Sequence, residues 1–200
     1  MGRTTTVTPQ QLLDAGLDLI IRQGYAAVNI KTVAQAAGCS TQPIVWAFGN
    51  IEGYRAALRC YATVYAQAKT QGQSPTEAHA NAGYAYIDMA IEAPNLIRYL
   101  RSDEQDLRNR GGIAMIFDRQ ATLERRKYWE AALSLSPEDA QKFVDFCVVH
   151  TEGIVSLLLS GVLPQDKENA YRLLREGGEA YAMYLKKGRS SWKPSFKSTI

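Results

Sequence analysis

Apolar side chains recur at intervals of three and four residues almost from the start of the chain. Leu12, Leu13, Leu17, Ile20 and Ile21 share one face of a helix. The residues before them supply its beginning, with Thr8 as cap, Pro9 in the first position and Gln11 placed to close a capping box, and Gly24 supplies its end. Asn29 is placed to cap a second helix that carries Ile30, Val33, Ala34 and Ala37 and stops at Gly38. A third starts almost at once. Ser40 is its expected cap, the bond going to Gln42 because Pro43 has no N–H, and only Ile44 and Phe48 are needed to dock it. Two short helices across Gly38-Cys39-Ser40 make a helix-turn-helix, which leaves Thr41, Gln42, Val45 and Trp46 facing outward.

The same periodicity continues through Tyr54, Ala57, Leu58, Tyr61, Val64 and Tyr65, predicting one helix over 52–69. Residues 71–75 interrupt it. Ser74, Pro75 and Glu77 restart a helix carrying Tyr84, Ile87, Met89 and Ile91 as far as Pro94, and a short helix follows over 95–101. Residues 102–112 are polar, end in Gly-Gly and read as a loop. Helical spacing returns over 113–133, with Phe117, Leu123 and Trp129 among charges. Ser136-Pro137-Glu138-Asp139 opens the next helix, which is apolar over most of its circumference from 143 to 159 and so is expected to be covered on more than one side. The last, over 166–186, sets Tyr171, Leu174, Gly178, Tyr181 and Leu185 in a packing seam where Gly177-Gly178 admits another helix closely. No strand pattern survives. The expectation is an all-α chain with a small helix-turn-helix domain at 1–50, a larger helical bundle at 51–186 and a basic, solvated tail at 187–200.

Composition narrows the function classes. At 200 residues, 46% hydrophobic and 22% charged, the chain is neither disordered nor collagen-like. Its longest nearly apolar run, 154–163, is half of the roughly 20 residues a bilayer span needs, and no charged and apolar leader opens the sequence, so no membrane partner and a cytoplasmic location are expected. Met1-Gly2 with Thr6 meets the loose myristoylation pattern without a supporting basic cluster. Cys39, Cys60 and Cys147 are odd in number, and with His79 and His150 they form no metal-ligand spacing, so neither a disulfide framework, a metal site nor a cofactor is expected. An enzyme is disfavoured too: His150 and Asp145 are five residues apart, off a common helical face, and no nucleophile is placed to use them.

Charge adds a direction. The first 70 residues hold six basic groups against three acidic ones, while the remaining 130 are balanced, so the whole net charge of +3 lies in the first third. That side of the chain suits a polyanion. An exposed Gln opening the third helix can pair bidentately with an adenine edge, and Thr can reach a base or a phosphate.

The run 12–58 carries a further signal. Val33-Ala34-Gln35-Ala36-Ala37-Gly38-Cys39-Ser40, then Phe48-Gly49-Asn50, with Gly24-Tyr25 after the first helix, resembles the N-terminal DNA-binding domain of the TetR family of bacterial transcriptional regulators. The resemblance implies DNA contacts from Asn29 and Lys31 at the start of the second helix and from Thr41, Gln42, Pro43 and Trp46 on the third. Three positions depart from the family pattern: Val45 stands where Tyr is usual, Ala47 where Tyr or His is, and Ile51 where Lys is. Each change removes a phosphate-binding group.

The order of the later helices also resembles that family, which implies a homodimer through the last two long helices and a ligand cavity enclosed by those before them. Tyr84, Met115, Trp129, Phe146 and His150 are the candidate lining residues for an apolar or aromatic inducer. The function so implied is a ligand-responsive regulator, a repressor as the family's commoner outcome, binding a palindromic operator on double-stranded DNA as a homodimer. The alternative, motivated by Val45, Ala47 and Ile51, is a helical small-molecule-binding protein whose DNA-binding domain is weakened or vestigial.

Overall fold

A computed structural model describes residues 7–70, 75–102 and 119–187, and all regular structure among them is helical. The expected polar loop, the stretch holding Met115 and Phe117, and the tail beyond Lys187 lie outside the described residues.

Helix α1 (Pro9–Gln23) starts as its sequence dictates. The Thr8 hydroxyl accepts the Gln11 N–H while the Gln11 side chain accepts that of Thr8. At Gly24 the backbone takes φ +84°, open to glycine without strain, and passes into a single 3-10 turn, Tyr25–Ala27. Helix α2 (Ile30–Ala36) has a capping box of its own: Asn29 Oδ1 accepts from the N–H of Lys31 and Thr32, and the Thr32 hydroxyl accepts from Asn29. Helix α3 (Gln42–Phe48) differs from expectation. Ser40 does not cap it; Thr41 stands at that position in a helical backbone (φ −72°, ψ −16°) and its side chain makes no cap bond. A capping side chain reaches forward from extended backbone, and Pro43 has already removed one of the N–H groups it would serve.

Helix α4 (Ile51–Thr70) follows directly, its first turn closed by Asn50, whose Oδ1 accepts the Gly53 N–H at 2.8 Å. A Cβ on Gly53 would run into the Phe48 carbonyl, so the tight α3–α4 junction requires glycine there. Where α4 crosses α1, Tyr54 is fully buried and its hydroxyl donates to the Leu12 carbonyl at 2.7 Å. The hydroxyl occupies the volume a side chain at position 16 would fill. Burial holds this phenol well above its usual pKa.

Helix α5 (Pro75–Glu92) buries Tyr86, Ile87, Met89 and Ala90, so Tyr86 rather than Tyr84 is its core aromatic. Helix α6 (Pro94–Arg101) buries Leu96, Ile97, Tyr99 and Leu100 and lies against both α1 and α4. Its last carbonyls are satisfied by Arg59, whose guanidinium donates to Tyr99 O and Leu100 O and sits 4.9 Å from the Tyr99 ring centroid. Tyr99 stacks on Tyr25 at 4.8 Å, and Arg55 lies over Tyr25. Asn95 donates to Ile21 O at the end of α1. These ties group α1–α6 into one compact unit.

Helices α7 (Arg119–Leu133), α8 (Pro137–Ser160) and α9 (Lys167–Lys187) make the second unit. Ser136 caps α8 by accepting the Asp139 N–H, and Asp166 caps α9. Helix α8 packs on α7 through Trp129 and Phe143, ring centroids 5.0 Å apart. It meets α9 where His150 Nε2 donates to the Leu173 carbonyl at 3.0 Å and the imidazole lies over Gly177. The close approach allowed by the glycine pair thus falls on Gly177, and the space over Gly178 is open. By length and composition α8 would also pass for a membrane-crossing helix, the one such helix among the described residues. Its apolar residues divide between a face buried on its neighbours (Phe143, Val144, Ile154, Val155, Leu158) and an exposed line of Val149, Gly153 and Leu157.

The α1–α4 crossing yields a test. Gly16→Ala adds a methyl where the Tyr54 hydroxyl lies and should cost about 1–3 kcal/mol in urea unfolding. Tyr54→Phe should cost about 1 kcal/mol for the lost hydrogen bond. Because the phenyl ring relieves the clash, the double variant should be clearly more stable than the two losses added together.

Candidate nucleic-acid interface

The candidate interface is built from α2, the turn 37–41 and α3. Gly38 turns the chain at φ +66°, and the Cys39 N–H returns to the Ala34 carbonyl at 2.9 Å, which closes α2 and aims α3 across it. Val33 and Ala34 on one helix and Ile44 on the other are buried. Ile44 is the one buried side chain of α3; Phe48, half-buried, meets the Tyr54 ring edge-on at 5.2 Å.

Everything else on α3 is available to a partner. Thr41, Gln42, Val45, Trp46 and Ala47 are exposed, Trp46 by 75%, and Pro43 is half-buried. At the start of α2, Lys31 is exposed, and Asn29 is exposed with its Oδ1 already engaged by two backbone N–H groups, so its amide NH2 is the part left for a ligand. Ile51 is half-buried. The six candidate DNA contacts are thus distributed over the beginning of α2 and along α3. Between Gln23 and Tyr54 Lys31 is the sole basic residue. Arg55 and Arg59 follow, but one donates to the Val28 carbonyl and the other to the end of α6. The reading surface is therefore nearly uncharged. Of the residues that support it from behind, Tyr54 lies in the apolar periodicity of α4 and Asn50 in the Phe48-Gly49-Asn50 run, whereas Gly16 and Gly53 were not singled out by the sequence pattern.

The candidate ligand-lining residues that the structure describes are divided between the two units. Met115 lies outside the described residues, and Tyr84, half-buried, is on α5 of the first unit. In the second unit Trp129 packs edge-on to Phe143, while Phe146 stacks between His150 (5.2 Å) and Tyr181 (4.3 Å). These aromatics join α8 to its neighbours. The His150 Nε2–H is held by the Leu173 carbonyl. The Cys147 thiol is pushed up to about 12 by burial and stays protonated at neutral pH. A half-open groove of about 200 Å³ lies between α4 and α5, bordered by Tyr65, Lys69, Asp88, Met89 and Glu92, a mixed lining that includes none of the five.

Comparison with known proteins agrees with this arrangement. Residues 12–58, from α1 into α4, match the family model described as bacterial regulatory proteins, tetR family. A crystal structure from Rhodococcus sp., assigned to the TetR-family transcriptional regulators, superposes with a TM-score of 0.60 at 19% identity, covering 87% of this chain and 98% of that one. The TetR family repressor AlkX from Dietzia sp., implicated in biodegradation of n-alkanes, is 21% identical over 94% of this chain and 98% of its own, with a TM-score of 0.45. No curated protein matches the chain. The first helix, the capped second helix, the glycine turn and the third helix with its one buried isoleucine are the parts that the matched segment spans, and over that segment the chain is similar to the DNA-binding part of the tetR family of bacterial regulatory proteins.

Proposed function

We propose that this DNA-binding regulator is a repressor that holds a palindromic operator as a homodimer and is released by a small molecule. The observation that carries the reading is the exposure of Thr41, Gln42 and Trp46 on a helix with a single buried side chain. An unpaired Gln and Thr at the front of such a helix suit base edges in the major groove, with Gln42 reading an adenine. Trp46 lays its indole on the sugar-phosphate backbone, and Lys31 with the amide of Asn29 meets phosphates beside it. Pro43 fixes the first turn that presents them.

For the homodimer, support comes from α8. Val149 (73% exposed), Gly153 and Leu157 (45%) follow one another at four-residue spacing, and nothing stands over Gly153. A two-fold axis through this line would pair each copy with itself and bury it. On α9, Met183 is exposed, and among the described residues no atom lies where a Cβ on Gly178 would stand. The inducer is an apolar or aromatic molecule that engages some of Tyr84, Met115, Trp129, Phe146 and His150, and it acts by binding the DNA-competent state less tightly than the other, on the usual scale of about 1–3 kcal/mol.

Enrichment of duplexes from a random pool, followed by gel-shift titration, tests the reading. A symmetric site should emerge, and Gln42→Ala should weaken it by about 1–3 kcal/mol while relaxing preference at one base pair of each half. Failure to enrich any sequence would favour a small-molecule binder with a vestigial DNA-binding domain. Ile51→Lys should strengthen binding and steepen the log–log salt dependence by about 0.9 for each new phosphate contact; an unchanged slope would mean that the start of α4 stays away from the backbone. In sedimentation, Gly153→Arg and Gly178→Arg should convert dimer to monomer with the helical content intact, since among the described residues no atom lies within 4 Å of a Cβ at either position. A wild-type monomer at micromolar concentration would remove the dimer.

A further inference from the structure

We infer that Val45 determines sequence preference by packing on the C5-methyl group of a thymine, so that each half-site carries a thymine within a base pair or two of the one read by Gln42. The inference rests on the DNA-binding reading above. Val45 is 44% exposed and lies on the same face of α3 as Thr41, four residues before it, and Gln42, three before it. Ile44 supplies the burial that docks the helix, so Val45 faces the partner rather than the core. What an aliphatic side chain can meet in a major groove is narrow. Base edges there present hydrogen-bonding groups except for the thymine methyl, and cytosine has only a hydrogen at the same carbon. Against a phosphate or a base amide, Val45 would strip water from a polar group and return nothing. Against a methyl it buries apolar surface on both sides. The stiffness of a β-branched side chain keeps the ordering cost small.

Spacing agrees. Residues three and four apart on a helix surface have Cβ atoms about 5–6 Å apart, and successive bases rise about 3.4 Å, so the partner of Val45 is the base pair next to that of Gln42 or the one beyond. The charge of the surface points the same way. No cation stands on α3, and with Lys31 alone between positions 23 and 54, groove contacts carry a larger share of the discrimination.

The test removes that methyl and nothing else. A duplex enriched by the wild-type protein is resynthesised with deoxyuridine in place of thymidine, throughout and then one position at a time. Wild-type affinity should fall by about fourfold for each contacted methyl, with the sensitive position one or two steps from the base pair at which Gln42→Ala loses preference. Val45→Ala, an exposed substitution, should bind the thymidine duplex more weakly by a similar factor and should no longer distinguish the two duplexes. Equal wild-type affinity for both, or full discrimination retained by Val45→Ala, would overturn the assignment. If the pool yields no enriched duplex at all, the DNA-binding reading itself falls, and this inference with it.

Discussion

The hydrogen bond from the Tyr54 hydroxyl to the Leu12 carbonyl, made through the gap that Gly16 leaves, is the contact on which the N-terminal unit depends. It sets how closely α4 crosses α1, and the Tyr54 ring then receives the edge of Phe48. Through Phe48 the same side chain steadies the end of α3, while Asn50 and Gly53 keep the junction too short to swing. The angle at which the outward residues of α3 meet a partner is therefore determined at a fully buried phenol that touches none of them. A buried hydroxyl without this acceptor would cost about 1–3 kcal/mol, which makes the crossing specific as well as stable.

A second set of contacts ties α6 into the same unit. Arg59 serves two purposes at once, donating to the last carbonyls of α6 and lying against the Tyr99 ring, which stacks in turn on Tyr25. A positive charge at a helix C-terminus is favoured by the helix dipole, and an arginine over an aromatic face adds to it. Tyr25 belongs to the turn that separates α1 from α2, and Asn95 holds the last turn of α1. A shift of α6 would thus be felt in the last turn of α1 and at the first residue of the turn that leads to α2.

How much of this was legible in the sequence follows from the range of each interaction. Caps of α1, α2 and α8 depend on a polar side chain and a backbone group three residues on, so Thr8, Asn29 and Ser136 announced themselves. Ser40 misled because its fitness as a cap depends on a backbone angle at its neighbour. Gly16 carried no signal in the periodicity of α1, since its reason is a hydroxyl 38 residues away. The glycine pair in α9 predicted a close approach but not which member would provide it; one residue is about 100° around a helix, and that decides whether His150 of the same chain or open space faces it. The outward residues of α3 were legible by subtraction, because docking needs two apolar positions and the helix offered more. For Trp129, Phe146 and His150, pattern alone cannot separate a side chain that lines a cavity from one that packs on the next helix.

That α3 is docked by Ile44 and Phe48 alone has a consequence for how such a protein can change over time. Substitutions at Thr41, Gln42, Val45, Trp46 or Ala47 disturb little packing, and surface changes of this kind usually alter stability by no more than about 0.5 kcal/mol. Selection on folding is then nearly blind to them. The chain is free to drift toward a new DNA preference without passing through an unstable intermediate, whereas the positions behind α3, Gly16, Gly53 and Tyr54, have almost no such freedom. Within one short helix, heritable specificity and heritable shape are written in different residues.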